Sequence, residues 1–117
     1  MIEGLRDFDR VVRIDGEHDL FGDGSVVCIP TYGHTPGHQS LLVELPDSRP
    51  VILAADCCYW QRSIDEEIPP GVVWDPTRAV HSIKRLKTIA RLTGGRIFPS
   101  HDPGFWAKAI KAPDAYR

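Results

Sequence analysis

The sequence predicts a layered α/β fold. Three observations carry that prediction: short apolar runs separated by turn residues over the first half, one long helix with clear start and stop signals, and a further strand directly after it. Ten glycines and ten prolines fall between the apolar runs rather than within them, which marks short elements joined by tight connections.

The first candidate strand is Arg10 to Ile14, followed by the turn-rich stretch DGEHDLFGDG at 15–24. A strand at Ser25 to Ile29 follows, ended by Pro30, which has no N–H to donate to a ladder. After a loop of Gly and Pro comes a third strand at Gln39 to Leu45. The turn at Pro46 to Pro50 then leads into the continuous apolar run Val51 to Ala55, which fits a fully buried strand. The clearest helix starts at Asp75 as N-cap with Pro76 in the first helical position. It places Ala79, Val80, Ile83, Leu86 and Ala90 three or four residues apart, and Gly94 and Gly95 end it. Arg78, Lys84, Arg85 and Arg91 form its solvated side. A strand at Arg96 to Pro99 and a short helix capped by Asp102 and Pro103, with Trp106, Ala109 and Ile110 on its inner face, complete the pattern.

The chain has 117 residues, 42% of them hydrophobic and 26% charged, which is enough for one core and excludes a disordered or fibrous protein. With a formal net charge of −2 and no basic block, nucleic acid is not an expected partner. Apolar runs such as VILAA at 51–55 are far below the roughly 18 residues that suggest a spanning helix. The start, MIEGLRDFDR, lacks the apolar stretch of a secretory signal, so a cytoplasmic location is expected. Cys28, Cys57 and Cys58 are odd in number and two are adjacent, which reads as small buried residues rather than a disulfide framework or a metal knuckle.

Three possible metal ligands stand where strands are expected to end: His34 after the second strand, Asp56 after the buried run and His101 after the last strand. Strand ends are where α/β folds gather their sites, and imidazole and carboxylate are donors that zinc accepts. A loop histidine is more often a surface or hydrogen-bonding residue than a ligand, and a carboxylate at a strand end often caps a turn. Residue type alone leaves metal binding open. His81, on the long helix, reads as solvent-facing, and His18 sits in the acidic turn region.

The local context adds to this. TYGHTPGHQSLLVEL at 31–45 resembles the histidine motif of the metallo-beta-lactamase fold, and VILAADCCYW at 51–60 resembles that family's strand ending in a metal-bridging aspartate. RIFPSHDPGFW at 96–106 is similar to its last ligand loop. Within the superfamily the closest resemblance is to the N-acyl homoserine lactone lactonases, quorum-quenching enzymes. It is carried by HTPGHQSL, by Tyr59 three places after Asp56 and by SIKRLK at 82–87, and it extends from about residue 10 to residue 106.

The resemblance implies the carboxy-terminal half of an αββα sandwich, one mixed sheet with helices on one face. It implies zinc, one or two ions in a completed site, and a small lactone or ester as substrate. His34 would bind one zinc, Asp56 would bridge both, and His101 would bind the other. Tyr59 would be the phenol that hydrogen-bonds a lactone oxygen, although a tyrosine packed beside a core strand explains it equally well. His38 would hold the ligand loop by hydrogen bonds. Gly33, Pro36 and Gly37 have a backbone reading, because the turn that aims His34 needs tight dihedrals.

One departure stands out. The family's amino-terminal half carries H-x-H-x-D-H, and this chain contains no H-x-H. Each zinc would keep one histidine and a share of Asp56, two protein ligands where a catalytic zinc generally has three. The expectation is a single domain over 1–117, an incomplete or truncated metallo-beta-lactamase-like unit with a broad apolar sheet face exposed. It would be a metal-dependent hydrolase in lineage, incomplete or inactive as an isolated chain. Completion could come from self-association, from a second polypeptide supplying the missing half, or from closure of the two histidines and one carboxylate around a single metal. Two other functions compete: a glyoxalase II-like thioester hydrolase, which shares the turn and the aspartate, and a non-catalytic binding or assembly module.

Overall fold

The computed structural model describes residues 10–117. Residues 1–9, where the sequence shows no secretory-signal pattern, lie outside the described residues. Five strands form one mixed sheet in the order β1-β2-β3-β4-β5: His18–Asp19, Val26–Pro30, Gln39–Val43, Val51–Leu53 and Arg96–Phe98. The first four pair antiparallel, and β5 adds parallel to β4. Three helices accompany them, α1 at Gln61–Glu66, α2 at Pro76–Thr93 and α3 at Pro103–Lys108. The parallel pair requires a crossover, which the segment containing α1 and α2 supplies.

Register explains the core. Val27, Leu42, Ile52 and Ile97 form one row across the sheet, while Cys28, Leu41, Leu53 and Phe98 form the neighbouring row that points to the opposite face. On the first face Ile29, Ile52, Ala54, Cys57 and Cys58 pack with Ile64 of α1 and with Ile83 and Leu86 of α2, joined by Leu42, Ile89 and Ile97. Each fully buried Ile or Leu contributes about 1.5–3 kcal/mol. The second face is only partly covered. Phe98 meets Phe105 and Trp106 of α3 and Tyr116 at centroid distances of 4.9, 6.3 and 5.2 Å. Leu53 stays 38% exposed beside an open groove of about 390 Å³ lined by Leu41, Leu53 and Trp106 among others.

α2 follows its sequence signals. Asp75 accepts from the Arg78 amide at 3.0 Å, Pro76 opens the first turn, and Gly94 closes the helix in the left-handed region at φ 71°. Ala79, Ser82, Ile83 and Leu86 are buried, His81 is exposed, and the three cysteines are free and buried. Among the described residues no helix is long and apolar enough to cross a membrane.

Elsewhere the structure differs from expectation. Arg10 to Ile14 is not a strand; Val11 and Val12 are exposed, and the sheet edge is instead His18–Asp19, inside the stretch read as a turn. Only the latter pairs with β2, at His18↔Cys28 and Asp19↔Val27. Pro30 is the last residue of β2 rather than the residue after it, and β3 and β4 stop at Val43 and Leu53. α1 had no sequence signal. Its N-cap, Trp60, makes no side-chain cap, and only Ser63 and Ile64 turn inward. In α3 the inward side chain is Phe105, whereas Trp106 and Ile110 are 39% and 48% exposed.

Candidate metal centre

His34 is presented by the turn between β2 and β3. Gly33, at φ 144°, accepts hydrogen bonds at its carbonyl from Trp74 and Asp75 at 2.9 and 3.0 Å, which ties the turn to the start of α2. No side chain fits at this position. A Cβ on Gly33 would overlap Ala79 N and Cα and lie 2.7 Å from the Ala79 Cβ. Val72 then places its carbonyl oxygen 2.6 Å from His34 Nδ1. Nδ1 therefore carries the hydrogen and donates it, and the other ring nitrogen faces the next strand end.

That strand end does not continue as β4. The chain passes Ala54 into a single 3-10 turn, Ala55–Cys57, with Ala55 at φ 49°, a region that costs a residue with a Cβ about 1 kcal/mol or more. The turn directs the Asp56 carboxylate away from the core. An Ala55→Gly variant should therefore gain roughly 0.5–1 kcal/mol, read as a small rise in Tm. A lowered Tm would show that Ala55 is not strained.

Asp56 divides its two oxygens between two histidines. Oδ2 lies 3.3 Å from His34 Nε2, and Oδ1 lies 2.9 Å from His101 Nε2. His101 follows β5 in a loop held at several points. Its amide donates to Tyr59 O at 2.8 Å, its carbonyl accepts from Trp60 Nε1 at 3.0 Å, and Ser100 N donates to Cys58 O at 3.0 Å. Asp102 ties the same loop to two helices, accepting from Gln61 N and Phe105 N at 3.0 Å each. Ser100 Oγ adds a 3.3 Å contact to Asp56 Oδ1. Burial opposes ionisation of Asp56, but the His101 hydrogen bond, the charge of His34 and the Ser100 hydroxyl outweigh it and hold the carboxyl below its ordinary range.

Tyr59 lies beside both histidines, its ring centroid 4.5 Å from that of His101 and 6.1 Å from that of His34. His38 lies behind the site. Its Nε2 accepts from the Asp56 amide at 3.1 Å, and its Nδ1 faces Thr31 Oγ1 at 2.8 Å and Thr31 O at 3.1 Å. The five residues singled out in the sequence are thus gathered at one end of the sheet. Thr31, Ser40, Ser100 and the Val72 carbonyl were not singled out. The buried polar pair Thr31 and Ser40, flanking the motif among apolar strand residues, was the available signal.

The donors suit zinc in kind but not in number. Two imidazole nitrogens and one carboxylate come together, and two ions sharing them would each have two protein ligands, fewer than the three of a catalytic site. Among the described residues no group of three or more His, Cys, Asp or Glu is arranged to hold a metal ion. The described residues therefore do not by themselves close a metal site.

No protein-family model matches the chain. The N-acyl homoserine lactonase AttM of Azorhizobium caulinodans is 36% identical over 119 residues, covering 95% of this chain and 45% of the relative. A solved N-acyl homoserine lactone hydrolase, with the product N-hexanoyl-L-homoserine at its catalytic metal centre, superposes with a TM-score of 0.79 at 34% identity. That match covers 86% of this chain and 39% of that one. AidC, a dizinc quorum-quenching lactonase solved with a product bound, shares the fold at a TM-score of 0.61 and 22% identity, over 86% of this chain and 34% of its own. The chain thus spans less than half the length of the relatives it matches. It is a homologue of the N-acyl homoserine lactone lactonases, with part of their metallo-beta-lactamase fold.

Proposed function

We propose that this chain supplies one half of a zinc-dependent lactonase site, most like that of the N-acyl homoserine lactone lactonases, and hydrolyses lactones only when further donors complete it. The observation that carries this reading is the Asp56 carboxylate shared between His34 and His101, each from a different loop. A carboxylate facing two imidazoles through separate oxygens would suit a ligand shared by two ions. His34, Asp56 and His101 would be the ligands, and the remaining ones would come from a second polypeptide that bears the amino-terminal motif, or from other donors of a second copy of this chain. Leu41 and Leu53 on the open sheet face are where the absent half of a sandwich would pack.

The chain's own residues have roles that need no account of the ion. Tyr59, at the mouth between the two histidines, would donate its phenol hydrogen to the lactone oxygen that gains charge. His38 would hold Asp56 through its backbone. The three free buried cysteines suit a reducing compartment such as the cytoplasm.

The test is zinc per chain in protein purified without chelators, compared with Asp56→Ala, followed by turnover of N-hexanoyl homoserine lactone and of a glutathione thioester. Zinc approaching about one ion per chain and lost in the variant is the expected result for protein purified as the assembly that supplies the further donors. Zinc absent from both would leave a non-catalytic assembly module, and preference for the thioester would make the glyoxalase II-like reading correct. Where an active assembly exists, an unchanged rate in Tyr59→Phe would remove the role given to the phenol.

A further inference from the structure

We infer that the chain has a second ligand site, at the β5 edge of the sheet, that takes a small amphiphile with one carboxylate and an apolar tail. The site is a cavity of about 480 Å³, within the range of small-molecule pockets, and none of its lining residues belongs to the His34, Asp56 and His101 cluster. Ile64, Phe98, Phe105 and Tyr116 give it apolar and aromatic walls. Arg96 and Lys108 give it two cations. No carboxylate lines it, and neither cation has an ion-pair partner among the described residues.

The state of Arg96 selects the ligand. Its guanidinium lies over the rings of Phe98 and Tyr116 at 5.8 and 5.4 Å, and these aromatic contacts supply no acceptor in the guanidinium plane. Its Nε is buried and has no hydrogen-bond partner. Buried donors almost always find an acceptor, and this one, which solvent does not reach, leaves the guanidinium short of acceptors inside the protein. The two Nη groups of a guanidinium also match the two oxygens of a carboxylate, and Lys108 at the exposed rim adds a second positive charge. An inorganic anion would leave the aromatic walls unused, and an uncharged or cationic amphiphile would leave the two cations without a counter-charge.

Isothermal titration of the 117-residue chain with octanoate, octan-1-ol and octyltrimethylammonium tests this. Octanoate should bind about tenfold or more tightly than octanol, and the cation should not bind measurably. Arg96→Gln should weaken octanoate about tenfold; because Arg96 lies in β5, the exposed Lys108→Glu provides a test that leaves the strand intact. Ala109→Trp, which fills the cavity, should abolish binding. EDTA should change nothing, which separates this site from the zinc reading. Equal affinity for octanoate and octanol, absence of octanoate binding, or unchanged octanoate affinity in both charge variants would overturn the assignment.

Discussion

Gly33→Ala should cost about 3–5 kcal/mol and lower Tm by roughly 10–20 °C, measured by thermal melts monitored by circular dichroism. Two effects add. The backbone at φ 144° is open to glycine and hostile to a Cβ, and the added methyl would strike the backbone of Ala79 rather than the end of a flexible side chain. Relief requires α2 to move away. That movement breaks the bonds from Trp74 and Asp75 to Gly33 O and separates Val72 from His34. Gly37, four residues later in the same turn, is the control. A Cβ there meets nothing within 4 Å and its φ is not in the left-handed region, so Gly37→Ala should stay within about 0.5 kcal/mol of the parent. Equal losses in the two variants would show that the turn needs both glycines for their dihedrals and that the contact with Ala79 does not decide the outcome.

The contrast between these glycines shows what the sequence can and cannot convey. Both lie in a motif that announces a tight turn, but only the folded structure, through the backbone angle of Gly33 and its contact with α2, distinguishes them. α2 itself was legible because its cap, its first-turn proline, its apolar spacing and its terminal glycine all agree. Arg10 to Ile14 looked like a strand from its β-branched residues alone. Strand formation is decided by a partner, and β2 pairs instead with His18–Asp19, where Asp19 accepts from Gly22 and Gly24 at 3.0 and 2.8 Å to close the connection. α1 was invisible for the opposite reason. With six residues and no side-chain cap, it is held by contacts of Ile64 with the distant core.

At the site, the residue types and their places at strand ends were legible, and the structure brings His34, Asp56, His101 and Tyr59 together across three loops. Their supports were not. The Val72 carbonyl, 38 residues from His34, leaves no trace in side-chain chemistry, and neither does the 3-10 turn that aims Asp56. Asp102 read as a helix cap, but its second oxygen also fastens α1, a link that exists only after α1 and α3 have docked.

His38→Leu should be the other costly substitution, losing about 2–4 kcal/mol in urea melts, because it orphans polar groups that the fold has buried. The hydrogens in this network have one consistent direction. The Asp56 amide donates to His38 Nε2, so the ring hydrogen is on Nδ1 and goes to Thr31. The Ser40 hydroxyl donates to Ala54 O at 2.9 Å, so the Thr31 hydroxyl donates to Ser40 Oγ at 2.8 Å. The path returns to the backbone just before Asp56. Thr31 and Ser40 are each 1% exposed, and water cannot replace the lost partner. His38→Gln, whose amide oxygen can accept from the Asp56 N–H, should recover roughly half of the loss.

The same network fixes the response of the metal-free chain to acid. Burial, and then the charge of His34, hold His38 below its ordinary pKa of 6.5, so the unfolded chain takes up this proton before the folded chain does. The contribution of His38 is complete above 6.5 and is lost as pH falls from there through its folded value. Asp56, also held low, keeps its contribution down to about its ordinary 3.8, so above that pH the loss comes from His38 and not from Asp56. Between about pH 7.5 and about pH 5, with EDTA present, the parent should lose more stability than His38→Gln, and the gap between them should narrow. A constant gap would mean that His38 takes up its proton over the same pH range in the folded and unfolded chain, so that neither its burial nor its acceptance of the Asp56 amide hydrogen holds its pKa down.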